Sequence, residues 1–280
     1  MKLGKLGCIV QARMTSSRLP GKVLKTLDYT TGKSILEQVI ERLKLVEEID
    51  EIIIATTINA DDEPIVAHAE KAGVGSFRGS EHDVLERYYK AAEHYDLDTV
   101  IRITSDCPFI DPEVIADLIE TYKAGDYDYV SNGQNRTFPH GLDCEIFSFD
   151  ALKTAYDVSE DKFYREHVTT YIYNHRDQFK IGSLELKGED FSGMRITVDT
   201  ESDYVVACLI SDSLGSKGTY SFRDIVKLYE EKPFLSLINK DIVQKKKYDT
   251  LDEELKAAAG ILRLQELNNA VAVLERELEK

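Results

Sequence analysis

Two kinds of apolar pattern alternate along the first half of the chain. Continuous apolar runs at residues 6–12, 51–58 and 99–104 are typical of strands that are buried on both faces. Between them, apolar residues recur at helical spacing, for example after a capping Ser34 at Ile35, Leu36, Val39, Ile40, Leu43 and Val46. This alternation predicts an α/β fold with a mostly parallel, open sheet and helices on both faces.

Glycine, proline and aspartate mark the ends of further elements. We predict a helix after Asp61 that ends at Gly73, and another over residues 81–94. Pro112 begins a helix that reaches to about residue 124, and Asp111 before it is best explained as a helix cap. Strands are predicted at 127–131 and 144–149.

The pattern changes after about residue 231. An amphipathic segment at 251–278 predicts a long helix, with a packing seam formed by Leu267, Val271, Leu274 and Leu278. The sequence therefore divides into a domain at 1–232 and a C-terminal helical appendage at 233–280. The appendage either docks on its own domain or contacts a second copy in a homodimer.

Charge restricts the class of partner. Lys and Arg total 35 against 51 Asp and Glu, which gives a net charge of −16, so nucleic acid is excluded as a partner. A small anionic nucleotide can still bind through a few local cations. The four cysteines are scattered, without a CxxC pair, and are interpreted as reduced core residues. We see neither a signal peptide nor a membrane segment, so we expect a cytoplasmic protein with no membrane partner.

The loop after the first strand carries the strongest chemical signal. Residues 11–24 read QARMTSSRLPGKVL, in which small residues let backbone N–H groups approach phosphate oxygens. Arg13, Arg18 and Lys22 add positive charge in an acidic protein, which indicates an anion site. The alternative is a surface loop with incidental basic residues. Gly32-Lys33-Ser34 resembles the end of a P-loop, but Leu27 stands where that motif requires glycine, so we interpret 29–31 as a turn.

Two acids follow apolar runs. Asp106 ends the strand at 99–104, and Asp199 follows the apolar stretch that begins at Arg195, which we expect to be a strand. Magnesium prefers one or two carboxylates together with phosphate oxygens and water, so this pair is sufficient for a Mg²⁺ site. The alternative for Asp199 is a helix N-cap.

These motifs resemble those of a known family. The segments AR at 12–13 and SRLPGK at 17–22 are similar to the signature loop of CMP-KDO and CMP-sialate synthetases. The whole stretch 10–24 is still more similar to the spore coat polysaccharide biosynthesis protein F family. The resemblance implies a Rossmann-like nucleotidyltransferase fold in which Arg13, Lys22, Asp106 and Asp199 are catalytic and the two acids bind magnesium. It also implies a nucleotide site formed by Gln11, Ala12, Arg13, Ser16, Ser17, Arg18, Lys22 and Asp106.

The resemblance gives less detail about the sugar. His140, Glu145, Arg165 and His167 are the candidate sugar-binding residues. The pair Glu166-His167 resembles one in CMP-KDO synthetases, but Thr, Tyr and Ile replace the polar residues that follow it there. KDO itself is therefore not implied as the substrate.

The resulting functional hypothesis is a nucleotidyltransferase with CTP and an acidic sugar as substrates. A sugar hydroxyl attacks the α-phosphorus of CTP, and pyrophosphate leaves. One alternative is a nucleotide-sugar glycosyltransferase that uses the acids of Asp126-Tyr127-Asp128. The other is a non-catalytic nucleotide-binding or assembly protein.

Overall fold

The computed structural model describes residues 3–215, 219–242 and 250–278. Contacts group the chain into two compact units, the first ending at Lys240 and the second beginning at Asp241. In the first unit, Leu235 is buried in the same apolar cluster as the sheet residues. The predicted boundary after residue 232 thus stays a prediction, while the packed part of the first unit extends beyond it.

The first unit is organised around a seven-stranded sheet with the order β5-β4-β1-β6-β8-β7-β9. A separate two-stranded hairpin, β2–β3, closes with the turn predicted before Gly32, whose N–H donates to the Asp28 carbonyl at 2.8 Å. The strands are β1 Leu6–Gln11, β2 Thr26–Asp28, β3 Lys33–Ser34, β4 Glu51–Thr57, β5 Gly75–Gly79, β6 Thr99–Thr104, β7 Tyr129–Ser131, β8 Glu145–Ser148 and β9 Ile181–Ser183.

The sheet is mixed but mostly parallel. Strands β5, β4, β1 and β6 run parallel to one another, β8 is antiparallel to both β6 and β7, and β9 is parallel to β7. The continuous apolar runs form β1, β4 and β6 because these strands lie at the centre of the sheet, covered on both faces. The predicted α/β class and sheet type are confirmed.

Helices occupy both faces, as the alternation predicts. One buried cluster joins Val10 and Ile103 to Leu36 and Leu118, and a second joins Ile9 and Val100 to helices on the other face. The α-helices are α1 Ile35–Leu43, α2 Glu63–Ala72, α3 Val84–His94, α4 Pro112–Ala124, α5 Phe149–Val158, α6 Lys162–His167, α7 Thr170–Asn174, α8 Glu201–Leu214, α9 Phe222–Glu231, α10 Leu235–Ile238, α11 Leu251–Leu264 and α12 Asn268–Leu278.

The predicted caps are present at three helices. Ser34 forms a capping box with Glu37 at the start of α1. Gly73 follows α2 with φ 68°, the left-handed conformation that glycine adopts at little cost. Asp111 accepts a hydrogen bond from the Glu113 N–H at 2.9 Å and so caps α4.

Two expectations about regular structure are wrong. The stretch from Arg195 is not a strand, because its only ladder contact among the described residues is a single parallel bridge between Arg195 and His140. The tail is not one helix either. Glu266 adopts φ 56°, and the Leu267 N–H donates to the Leu262 carbonyl at 3.0 Å, a helix-ending arrangement that separates α11 from α12.

The second unit is consequently a pair of helices in contact with each other. Ala259 of α11 and Val271 of α12 are its buried apolar residues, and Arg263 forms an ion pair with Glu275. The homodimer contact predicted for this appendage stays a prediction. Throughout the described part of the chain, every helix is too short or too polar to cross a membrane.

Candidate active site

The carboxyl ends of four parallel strands define one edge of the sheet. Gln11, Thr57, Gly79 and Thr104 end β1, β4, β5 and β6 at this edge. Ligands of open α/β sheets bind beyond such ends. The loop at residues 12–21, which we call the β1 loop, begins here.

Internal hydrogen bonds fold the β1 loop around the carbonyl of Met14. That carbonyl accepts from the Ser16 N–H and the Gly21 N–H, each at 2.9 Å, and Gly21 has φ 66°. Five loop N–H groups donate to no other residue that the structure describes: those of Arg13, Thr15, Ser17, Arg18 and Leu19. Unpaired N–H groups in a turn form a concavity that suits anionic oxygens.

Lys22 lies between the two predicted acids. It begins a short 3-10 turn after the loop, is only 8% exposed, and its Nζ lies 2.8 Å from Asp106 Oδ2 and 2.8 Å from Asp199 Oδ1. Burial acts to lower the pKa of Lys22, but the two carboxylates outweigh it and raise the pKa. For Asp199, burial acts to raise the pKa, yet Lys22, Arg18 and Arg195 hold it below its usual value. Lys22 and Asp199 are therefore both ionised at neutral pH.

Backbone contacts bring Asp199 to Asp106. The Asp106 carbonyl accepts from the Val198 N–H at 2.8 Å and from Thr197 Oγ1 at 3.0 Å. On the other side, residues 140–141 run against 195–197, and Gly141 has φ 114°. A Cβ on Gly141 would lie 2.5 Å from the Thr197 nitrogen, so this close approach requires glycine.

A buried arginine–aspartate pair supports Asp199 from behind. Arg195 donates to both oxygens of Asp203 at 2.8 Å, and its Nη2 lies 3.3 Å from Asp199 Oδ2. Asp203 also accepts from Asn239 at 3.0 Å. Thr200, not Asp199, is the N-cap of α8, with Asp203 completing a capping box. The helix-cap alternative for Asp199 is thus wrong, because its carboxylate faces Lys22 and Arg18.

The predicted nucleotide residues of the loop do not all point to one place. Arg18 reaches Asp199 at 3.0 Å, whereas Arg13 is exposed and lies 4.0 Å from Glu81. Ala12 is buried and pairs its N–H with the Ala55 carbonyl at 3.1 Å. Ser16 is half-buried and Ser17 exposed at the loop surface.

The orientation of the Gln11 side-chain amide is set by its hydrogen-bond partner. Its Oε1 accepts from Arg102 Nη2 at 3.3 Å, and arginine can only donate. The Arg102 guanidinium is in turn held by Glu145 at 2.8 Å. Gln11 therefore keeps its amide oxygen turned toward Arg102.

The four sugar-side candidates have different surroundings. Glu145 contacts Arg102, Tyr129 at 3.0 Å and Thr169 at 3.1 Å, so protein donors engage both of its oxygens. His140 Nδ1 lies 3.3 Å from Asp143, whose pKa is lowered by His140 and Arg136 although burial opposes this. Arg165 Nη1 lies 3.4 Å from Asp83, and the Arg165 guanidinium lies over the Tyr156 ring. The centroid of the His167 ring lies 4.6 Å from that of Phe163. Their binding roles stay predictions.

Asp126-Tyr127-Asp128 lies at the wrong edge of the sheet for the glycosyltransferase alternative. It precedes β7, which runs in the same direction as β6, so it sits at the amino ends of these strands. Asp126 pairs with Lys180, and Asp128 accepts from the Lys180 N–H at 2.8 Å. Both acids therefore serve to attach β9.

The two acids at Lys22 fit a magnesium ion in one respect. Their carboxylates come from separate segments of the chain, and both contact the Lys22 ammonium group. A divalent ion at this point would likewise need contact with both carboxylates. No cluster of three or more His, Cys, Asp or Glu side chains suited to a metal occurs among residues 3–215, 219–242 and 250–278. Phosphate oxygens and water would have to complete the coordination shell.

Sequence patterns gave no indication of a depression of about 430 Å³ beyond β4 and β5. Its walls include Asn59, Arg78 and Glu81, together with Arg87, which is only 2% exposed. Burial lowers the pKa of Arg87.

Arg195 and Asp203 were also missed as site residues. Arg195 lies in an irregular segment and Asp203 in α8, so no single periodic pattern relates them, although the acids at 201 and 203 did indicate a helix start.

Comparisons with known proteins agree with this geometry. Residues 7–252 match the family described as cytidylyltransferase, and the chain belongs to that family. It is therefore a nucleotidyltransferase, as predicted from the loop and the acids.

Individual relatives share most of the chain. It is 34% identical over 238 residues to spore coat polysaccharide biosynthesis protein SpsF of Bacillus subtilis, covering 80% of this chain and 94% of that one. It is 25% identical to 3-deoxy-manno-octulosonate cytidylyltransferase of Christiangramia forsetii, covering 66% and 81%. A solved cytidylyltransferase of Leptospira borgpetersenii aligns with TM-score 0.77 and 29% identity, covering 87% and 100%. The predicted family and Rossmann-like nucleotidyltransferase fold are confirmed.

Proposed function

We propose that the chain activates an acidic sugar, of the nonulosonic or 3-deoxy-ulosonic type, as its CMP derivative for surface polysaccharide biosynthesis in the cytoplasm. The observation that carries the proposal is the meeting of Lys22, Asp106 and Asp199 beside the β1 loop. The relatives named for spore coat polysaccharide and for 3-deoxy-manno-octulosonate support the acidic sugar and the pathway.

In this reaction the sugar hydroxyl oxygen bonds to the α-phosphorus of CTP. The bond from that phosphorus to the bridging oxygen breaks, pyrophosphate leaves with the electron pair, and the hydroxyl proton passes to solvent. The unpaired N–H groups of the β1 loop bind the phosphate oxygens, with Lys22 and Arg18 supplying positive charge. The protein contributes alignment and electrostatic stabilisation and needs no covalent intermediate.

Asp106 and Asp199 would hold a magnesium ion in this scheme. The bound ion supplies charge stabilisation to the transferring phosphoryl group. Lys22 would then exchange a carboxylate partner for a phosphate oxygen of the triphosphate.

The decisive test is a matrix of nucleotides and sugars. With magnesium, each of CTP, UTP, ATP and GTP is combined with 3-deoxy and nonulosonic acids, and pyrophosphate release is measured. We expect release only with CTP and an acidic sugar, and a larger rise in melting temperature with CTP than with ATP or GTP. Equal melting shifts would remove the cytidine assignment. Binding of CTP without release across a broad sugar panel would favour the non-catalytic alternative.

Removing the lysine charge should mainly weaken binding of the triphosphate. Lys22→Ala deletes one charge-assisted contact, which contributes about 1.5–3 kcal/mol, so KM for CTP should rise roughly 10- to 150-fold. Lys71→Ala is the control, because Lys71 is exposed and its one ion pair within the described ranges is with Glu37 at 3.2 Å. Steady-state kinetics at varied CTP measures both. An unchanged KM in Lys22→Ala would show that Lys22 serves only to pair the acids.

A further inference from the structure

Asp62 is a buried carboxylate that the function proposed above does not use. It is 1% exposed, and no basic side chain among the described residues forms an ion pair with it. Its Oδ1 accepts from the Met14 N–H at 2.7 Å, and its Oδ2 accepts from the Thr57 N–H at 3.2 Å and from the Thr57 hydroxyl. A buried carboxylate is costly unless donors surround it, and these three donors provide that compensation.

The position of Asp62 in the chain is that of a helix-capping residue. It precedes α2 at the N-cap position, where aspartate usually accepts from the first N–H groups of its own helix. Here the side chain makes no cap hydrogen bond and turns instead to the β1 loop, 48 positions earlier in the chain. Capping therefore does not explain this carboxylate.

Asp62 is attached to the buried end of β4. Thr57 is the last residue of β4, a central strand, and is fully buried. The Thr57 hydroxyl donates to Asp62 and accepts from the Asn59 N–H at 3.1 Å, so its direction is fixed. Asp62 thus fixes the position of Met14 relative to the end of β4.

Met14 is the residue around which the β1 loop is folded. Its N–H is held by Asp62, and its carbonyl accepts from the Ser16 and Gly21 N–H groups. The five unpaired N–H groups lie in the same short segment. Fixing the Met14 peptide units therefore fixes the cradle that would receive phosphate oxygens.

We infer that Asp62 is a positioning residue that holds the β1 loop in its phosphate-binding conformation before the nucleotide arrives. The inference rests on the proposed function, and the ligand class is a nucleoside triphosphate or its triphosphate moiety alone. A loop that adopts the binding conformation only part of the time weakens apparent affinity by that fraction. Once the ligand is bound, the loop is in place and the chemical step is unaffected.

Asparagine cannot replace this carboxylate, although it has the same size. Both sides of the Asp62 carboxylate face backbone N–H groups, from Met14 and from Thr57. Asparagine offers one oxygen and one NH₂ group, so one side must place a donor against a donor. Asp117→Asn is the matched control, because Asp117 is an exposed acid of α4 whose side chain has no hydrogen bond or ion pair to another described residue.

The test measures binding of inorganic tripolyphosphate by calorimetry, and KM and kcat for CTP, in the full chain. We expect Asp62→Asn to weaken tripolyphosphate binding and to raise KM tenfold or more, with kcat at saturating CTP within about twofold. In the absence of ligand, amide hydrogen exchange in the β1 loop should be faster in Asp62→Asn than in the wild-type chain. Asp117→Asn should leave all four quantities unchanged.

Three results would overturn the inference. Wild-type affinity for tripolyphosphate in Asp62→Asn would do so, as would a fall in kcat with KM unchanged. If Asp62→Asn does not fold, Thr57→Val removes the hydroxyl that donates to Asp62 and accepts from the Asn59 N–H, and leaves the Thr57 N–H contact to Asp62 in place. The inference then requires a smaller rise in KM with kcat kept. Normal KM in Thr57→Val would reject it. The proposed function fails separately, if the wild-type chain gains no thermal stability from CTP.

Discussion

Asp199→Asn is expected to reduce pyrophosphate release by about a thousandfold or more at saturating CTP and magnesium. The substitution keeps the size of the side chain but removes a charge that the proposed metal ion and Lys22 both require. The loss corresponds to several kcal/mol of stabilisation of the transferring group. Folding should be retained, because Thr200 and Asp203 cap α8 without Asp199.

Asp212→Asn serves as the control for that experiment. Asp212 is an exposed acid of α8, the helix that follows Asp199, and the substitution changes net charge by the same amount. Turnover and melting temperature should match the wild-type chain. If Asp199→Asn kept near-normal turnover and magnesium dependence, the two-carboxylate site would have to be abandoned.

Arg195→Met is expected to give the largest loss of stability. It leaves Asp203, whose side chain is fully buried, without the guanidinium that donates to both of its oxygens. Breaking a buried ion pair from one side costs about 3–5 kcal/mol. In a domain of this size that lowers the melting temperature by roughly 10 °C. Thermal unfolding followed by circular dichroism at pH 7 measures it.

The same pair predicts a pH dependence. Burial acts to raise the pKa of Asp203, but Arg195 and Asn239 lower it below the usual 3.8. A carboxyl with a lowered pKa in the folded state contributes stability above its unfolded pKa and loses it as the pH falls through the folded value. The difference in melting temperature between the wild-type chain and Arg195→Met should therefore become smaller below about pH 4.

Arg223→Met is the control for the buried pair. Arg223 also donates to two carboxylate oxygens, those of Glu189 at 2.9 and 2.7 Å, but the pair is exposed. Its removal should lower the melting temperature far less than Arg195→Met does, because solvent screens an exposed pair. Equal losses in the two variants would show that burial does not set the strength of the Arg195–Asp203 pair.

The parts of the site that sequence predicted are those with local signals. Strands β1 and β6 are continuous apolar runs, so the residues that follow them, including Asp106, could be placed at one edge. The basic residues of the loop were visible against an acidic composition. The cap at Asp111 and the end of α2 at Gly73 were predicted for the same reason, since each depends on a few neighbouring residues.

The remaining parts depend on contacts between distant positions. Asp62 resembles a helix-start residue in sequence, and only the fold shows that it binds Met14. Arg13 has the charge of a phosphate ligand, yet lies near Glu81, far along the chain. The stretch before Asp199 was predicted as a strand because it is apolar, but its neighbours are the irregular segments at 106 and 140. Contacts between positions so far apart leave no periodic pattern in the sequence.

The wide spacing of the site residues also affects how the protein is made. Lys22 and Asp199 are separated by 177 positions. At a translation rate of about 5–20 residues per second, Asp199 is added roughly 10–35 s after Lys22. Asn239, which supports Asp203, follows later still. Once Asp106 has been added, the nascent chain contains Lys22 and Asp106 without their third partner. A ribosome-bound fragment that ends before residue 199 therefore contains a nucleotide loop but no complete site.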